Sequence, residues 1–203
     1  MQKRDLLLVL IFSMFTISFA QEKLYSNMFF NLHISEGGLG VGLNYSKEFT
    51  PVLSFTTDIF FSESKDAQEF EIYDYWGNSY VIGKKNRIFV VPLAFGLKYR
   101  LFKYDLVENF RPFIMSGVGP TMVITTPYAY EFFRSFRFAQ AKYTLGGYLG
   151  IGAYFGFNKT NPVGISLRYQ FIHFFDEGVE NLYGKYRKDL GGLFITLNFG
   201  FSL

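Results

Sequence analysis

Residues 88–101 read Ile-Phe-Val-Val-Pro-Leu-Ala-Phe-Gly-Leu-Lys-Tyr-Arg-Leu. Phe89, Val91, Leu93, Phe95, Leu97, Tyr99 and Leu101 fall on one face; Val90, Pro92, Ala94, Gly96, Lys98 and Arg100 fall on the other. Alternation sustained over this length has the period of a strand and not of a helix. Pro92 lacks an N–H for a paired strand, so a local irregularity is expected there.

The same parity recurs along the chain. Leu39, Val41, Leu43, Tyr45 and Phe49 alternate with Gly40, Gly42, Asn44, Ser46 and Glu48. Leu53 to Phe61 and Tyr143 to Phe157 repeat the pattern, as do Val163 to Phe171 and Leu193 to Leu203. Asn27 to Ile34 is a shorter case, and Arg111 to Thr125, with Gly117, Gly119 and Pro120, has an ambiguous phase. The total is eight strands, an even number.

Composition narrows the solvent. Of 203 residues, 49% are hydrophobic and 21% aromatic, while 18% are charged and the net charge is +3. That is too apolar and too weakly charged for a disordered chain. The modest charge argues against nucleic acid as a partner. The absence of cysteine excludes a disulfide scaffold and any cysteine-ligated metal.

Residues 1–20 have the three parts of a cleaved signal peptide: Lys3 and Arg4, an apolar run from Leu6 to Ile17, and Ser18-Phe19-Ala20 before Gln21. The run of about 12 residues is short of the roughly 20 that a spanning helix needs. Residues 21–203 then form one domain.

Connections alternate in length. Thr50-Pro51, Lys103 to Asn109 and Asn158 to Pro162 are short; Ser62 to Asn86, Thr126 to Gln140 and Asp176 to Arg187 are long. Ser35 to Gly38 is the short member of the long set. Short turns at one end and long loops at the other describe an antiparallel up-and-down transmembrane β-barrel, with short periplasmic turns and longer extracellular loops. A secreted barrel with its apolar face inward is the alternative. Three features favour the membrane. The polar face is rich in glycine, as a crowded lumen requires. Its charges carry both signs, with Glu48 and Asp58 against Lys98, Arg100, Lys142 and Arg168. Aromatics lie near the strand ends of the apolar face, as interfacial girdles do. Eight strands give an interior that side chains fill, and those six charges are the expected lumen network.

With these strands in view, the chain resembles the small outer-membrane β-barrels of the OmpA/OmpX type. The resemblance is carried by Leu39-Gly-Val-Gly-Leu-Asn-Tyr45, Pro92-Leu-Ala-Phe-Gly-Leu-Lys-Tyr99, Arg111 to Pro120 and Gly164-Ile-Ser-Leu-Arg-Tyr169. Gly191 to Leu203 is similar to the C-terminal signal read by the barrel-assembly machinery, with Leu203 where Phe or Trp is usual. The resemblance implies an outer-membrane location in a Gram-negative-type bacterium, a monomer, and lipid and lipopolysaccharide as surroundings. It implies no cofactor and no particular activity.

Chemistry is sparse. In lipid A deacylases of this architecture a serine follows the catalytic histidine by two positions; after His173 that position is Phe175. A hydrolytic serine needs a base within hydrogen-bond reach, so no enzyme is expected. His33 and His173 are too far apart in sequence to suggest a metal site. Asp176, Glu177 and Glu180 read as a solvated loop.

Function on a rigid scaffold concentrates in loops. Glu69 to Ile82 reads as a hairpin turning at Gly77-Asn78 and presenting Tyr73, Tyr75 and Trp76. Thr126 to Gln140 adds Tyr128, Tyr130 and Phe133 with Arg134 and Arg137. These eight residues are the candidate contacts for an unidentified extracellular ligand. Lys84, Lys85, Arg87, Lys185, Arg187 and Lys188 are the candidate contacts for lipopolysaccharide phosphates. The expected role is structural, stabilising the envelope, or surface ligand binding of the adhesion type through these loops; the alternatives are a narrow channel or a lipid A-modifying esterase.

Overall fold

The computed structural model describes residues 24–66, 69–77, 79–106, 109–156 and 161–202. The expected signal peptide, Asn78 of the hairpin turn, Phe157 and Leu203 lie outside the described residues.

Each long alternating segment forms a strand. The barrel is built from β1 (Ser26–Ser35), β2 (Gly38–Glu48), β3 (Leu53–Glu63), β6 (Asn86–Arg100), β7 (Phe110–Pro127), β8 (Gln140–Phe155), β9 (Val163–His173) and β12 (Asp189–Ser202). Every strand pairs antiparallel with its barrel neighbours in sequence, and β12 returns to pair with β1. The sheet is therefore closed, with no edge left to satisfy.

Two hairpins rise from the long-loop rim. One joins β4 (Glu71–Tyr73) to β5 (Ser79–Val81), and the other joins β10 (Val179–Leu182) to β11 (Lys185–Arg187). Helix α1 (Phe132–Ser135) and a 3-10 turn at Phe136–Phe138 lie between β7 and β8.

Burial runs opposite to that of a water-soluble protein. Asn31 and His33 are 1% exposed and Thr196 is 0%, whereas Leu39 is 76% and Leu149 60% exposed. The outward phase continues through Phe30, Ile34, Val41, Leu43, Leu97, Ile151, Leu167, Tyr169 and Phe199. An apolar belt this continuous exceeds anything a monomeric soluble protein leaves in water. In a bilayer it faces its proper solvent.

The irregularity expected at Pro92 is present. Pairing of β3 with β6 is interrupted between Ile59↔Leu93 and Ser62↔Val90. Pairing of β6 with β7 is interrupted between Pro92↔Thr121 and Phe95↔Val118, opposite Pro120. Register resumes unshifted on both sides. The ambiguous strand β7 settles with Phe113, Met115, Gly117, Thr121 and Val123 inward. Phe89 has outward parity yet is 2% exposed, because Phe61, Phe132 and Phe136 cover it at 5.3, 6.0 and 5.4 Å between ring centroids.

Glycine makes room for the larger lumen side chains. A Cβ on Gly117 would lie 2.7 Å from Tyr148 Cε1, and one on Gly96 would lie 2.9 Å from Tyr148 Oη. The lumen is layered. Its loop-side half is an apolar cluster of Phe60, Ile88, Val90, Val123, Ile172, Phe174, Val179, Leu190 and Phe194. Polar residues occupy the middle.

Candidate functional site

The middle of the lumen is organised around one ion pair. Strand β3 presents Asp58 inward and β9 presents Arg168, and Arg168 Nη1 donates to Asp58 Oδ1 at 2.9 Å. Tyr148 Oη donates to Asp58 Oδ2 at 2.7 Å and lies 3.3 Å from Thr56 Oγ1. The Arg168 guanidinium also sits 5.2 Å from the Tyr148 ring centroid. Next to this group, His33 Nδ1 lies 3.0 Å from Thr196 Oγ1, and Asn198 Nδ2 donates to Ser166 Oγ at 3.2 Å. These contacts pair most of the charges and dipoles of a water-poor interior, while His33 Nε2 and Arg168 Nε are buried with no hydrogen-bond partner among the described residues.

The six lumen charges do not form a single network, which corrects the sequence reading. Only Asp58 and Arg168 form an ion pair with each other. Lys98 lies toward the short-turn rim, where its Nζ donates to Tyr154 Oη at 3.2 Å. It stands 5.0, 5.7 and 4.9 Å from the ring centroids of Phe29, Phe113 and Tyr154. Glu48 accepts from the Tyr25 amide at 3.0 Å. Arg100 lies at that same rim. Lys142 faces inward but at the opposite, loop rim, above the apolar cluster, where it pairs with Asp176 at 2.8 Å and donates to the Gly178 carbonyl. That ammonium holds the Asp176 carboxyl below the usual range. Parity gives the face of each residue and not its height in the barrel.

The three long loops interlock into a crown. Its centre is Glu69, which receives Lys84 Nζ at 2.6 Å, Asn181 Nδ2 at 2.8 Å and the Asp66 amide at 3.0 Å. The Lys84 and Glu69 side chains are each 4% exposed. Burial works to raise the Glu69 carboxyl, but the bonds from Lys84, Asn181 and Asp66 outweigh it and hold the group below the usual range. Lys85 pairs with Glu180 from the next hairpin. The hydrogen bond between them raises Lys85 and lowers Glu180. The Asn86 side-chain amide donates to the Glu180 carbonyl at 2.8 Å. Arg87 stacks on Tyr128 at 4.6 Å and donates to the Tyr130 carbonyl, while Tyr128 Oη accepts from the Val81 amide.

The crown thus uses much of the expected lipopolysaccharide-contact set internally. Lys84 is inside, drawn there by Glu69. Lys85, Arg87 and Arg187 are bonded to neighbouring loops, Arg187 through the Lys65 carbonyl and Asp66. Lys185 is half-buried in its hairpin, and Lys188 is exposed. Glu69 and Asn181 went unrecognised in the sequence, since nothing in a loop of mixed polarity marks which carboxylate folds inward.

The aromatic candidates divide. Tyr128 is half-buried under Arg87, and Tyr130 stacks on Phe138 at 4.7 Å with Arg134 5.8 Å from its ring. Phe133 is 82% exposed, and Arg134 and Arg137 are exposed. The β4–β5 hairpin carries the others clear of the crown. Tyr73 is exposed; Tyr75 is 95% and Trp76 83% exposed, edge-to-face at 5.6 Å. The Trp76 amide donates to Asp74 Oδ1 at 2.9 Å, tightening the turn. On the outer wall, His173 Nδ1 lies 2.7 Å from Asp189 Oδ1, a partner sixteen residues away that sequence reading missed.

Eight antiparallel strands closed into a ring, with an apolar outer wall and a polar middle to the lumen, give this chain the fold of the small outer-membrane β-barrels. The crystal structure of Neisserial surface protein A superposes with a TM-score of 0.54 at 7% identity, over 89% of this chain and 96% of that one. The N-terminal β-barrel domain of Pseudomonas aeruginosa OprF gives 0.49 at 11% identity, over 88% and 96%. OprG of the same organism gives 0.48 at 10%, over 90% and 97%. No protein-family model matches the chain, and no curated protein matches it in sequence.

Proposed function

We propose that this chain is a monomeric outer-membrane protein of a Gram-negative-type bacterium, whose plugged barrel anchors a surface ligand-binding hairpin. Residues 1–20 serve for export, and the barrel-assembly machinery inserts the mature chain. The single observation that carries the proposal is the pair Tyr75 and Trp76, held at 95% and 83% exposure above a crown knit together by the Lys84–Glu69 and Lys85–Glu180 pairs. Tyrosine and tryptophan supply large contact area at low entropic cost, and they dominate the energetics of recognition surfaces. Phe133 with Arg134 and Arg137 provides a second exposed patch at the same rim, suited to lipopolysaccharide phosphates alongside Lys188.

The apolar half-lumen supports a plugged barrel. No catalysis is assigned to His173, and no cofactor is invoked. The test is adhesion of cells displaying the protein to immobilised polysaccharide and protein surfaces. The Tyr75→Ala/Trp76→Ala double variant is expected to abolish the adhesion while leaving surface expression unchanged. Adhesion unaffected by the double variant overturns the proposal. So does steady ion conductance in planar bilayers, or release of fatty acid from lipopolysaccharide that is lost with His173→Ala.

A further inference from the structure

The lumen is hollow on the side away from the loops. A pocket with about 90 Å³ of water-accessible space enters from the short-turn rim and ends against the rings beneath Lys98. Its wall carries Lys98 and Arg100 from β6, Arg111 from β7, Lys103 from the following turn and a single carboxylate, Glu48, among the described residues. Glu48 already accepts the Tyr25 amide. Lys98 is held by a tyrosine hydroxyl and three aromatic faces and forms no ion pair among the described residues. Arg100 likewise forms no ion pair there, and its Nε is buried without a hydrogen-bond partner.

Lys98 and Arg100, two cations on the wall of one pocket with no ion pair among the described residues, make an anion site. Ammonium and guanidinium groups together with a tyrosine hydroxyl match the oxygens of a tetrahedral dianion better than a single carboxylate. Leu24, Pro51, Val52 and Pro162 at the mouth leave room for a small apolar substituent. We propose that this cavity binds a phosphomonoester-type anion entering from the short-turn side, with Lys98 and Arg100 as its principal contacts. The site is independent of the loop hairpin, and either proposal stands if the other fails.

The test is calorimetric titration of the full-length barrel in zwitterionic detergent. The probes are inorganic phosphate, glycerol 3-phosphate and a short-chain phosphatidic acid in the micelle. Saturable binding of the two soluble probes assigns the cavity to free phosphates. Saturation by phosphatidic acid alone assigns it to a lipid headgroup. In either case Lys98→Met and Arg100→Gln are expected to weaken binding at least tenfold. Glu48→Gln is expected to tighten it several-fold, and Lys188→Gln at the far rim to leave it unchanged. Arg100→Gln, nearer the mouth, carries the test if Lys98→Met does not give a heat-modifiable barrel. Failure of all three probes to saturate, or equal affinity in the Lys98, Arg100 and Lys188 variants, overturns the proposal.

Discussion

Glu69 shows what a single carboxylate does in this molecule. Its side chain is 4% exposed and joins two loops through Lys84 and Asn181. Removing one partner of a buried pair costs up to about 3–5 kcal/mol, and less here because Glu63 also lies 3.8 Å from Lys84. Glu69→Gln is therefore expected to release amide-exchange protection across residues 81–87 and 179–183, while the barrel strands keep theirs. Because the folded carboxyl titrates below the ordinary glutamate value, its stabilisation is complete above about pH 4.3 and fades as the pH falls through the lower folded value. Loop exchange in the unsubstituted protein should accelerate on that acid side and stay flat from there to neutrality. In the lumen, Asp58→Asn strands Arg168 and is expected to lower barrel stability in urea by about 3–5 kcal/mol. Parity identified Asp58 and Arg168 as sharing the lumen. It carried no information on Lys84, because the loop that supplies Glu69 has no period to read.

Among the elements, the strands were legible and their joints less so. Alternation fixes a strand because side chains on a pleated backbone must face opposite sides. In β7, small residues blurred the contrast: Ser116 and Pro120 face lipid, while Met115 and Phe113 face the lumen. The tight fit of Gly117 beneath Tyr148 decides that phase. Gly117→Ala must displace the ring that bonds Asp58, and overpacking of this kind costs about 1–3 kcal/mol. The expected readout is a lower urea midpoint at unchanged secondary structure. The β4–β5 hairpin offers a spectroscopic check, since Trp76 is the sole tryptophan. Its emission should resemble that of a water-exposed indole and be strongly quenched by iodide in the folded, unliganded protein. A blue-shifted, unquenched emission would place the hairpin tip against the barrel and remove the binding surface.

For the whole molecule, solvent inversion governs everything else. The outward rows of Leu, Ile, Phe and Tyr would be an aggregation surface in water; in lipid they need no cover, and the closed sheet satisfies its own backbone groups. The even strand count, the alternation of turn lengths and the mixed-sign lumen were all readable, because they follow from closing a sheet in a bilayer. The apolar filling of the loop-side lumen and the charged hollow opposite were not. Both depend on height along the barrel, which a period of two does not encode. The measurement that tests the central claim most directly is the gel mobility of the protein extracted from outer membranes, run in detergent with and without boiling. A faster unboiled band, converting to the full-length position on heating, is the expected behaviour of a closed, detergent-stable barrel. Recovery as a detergent-free soluble protein with no mobility shift would contradict it and turn the apolar wall inward.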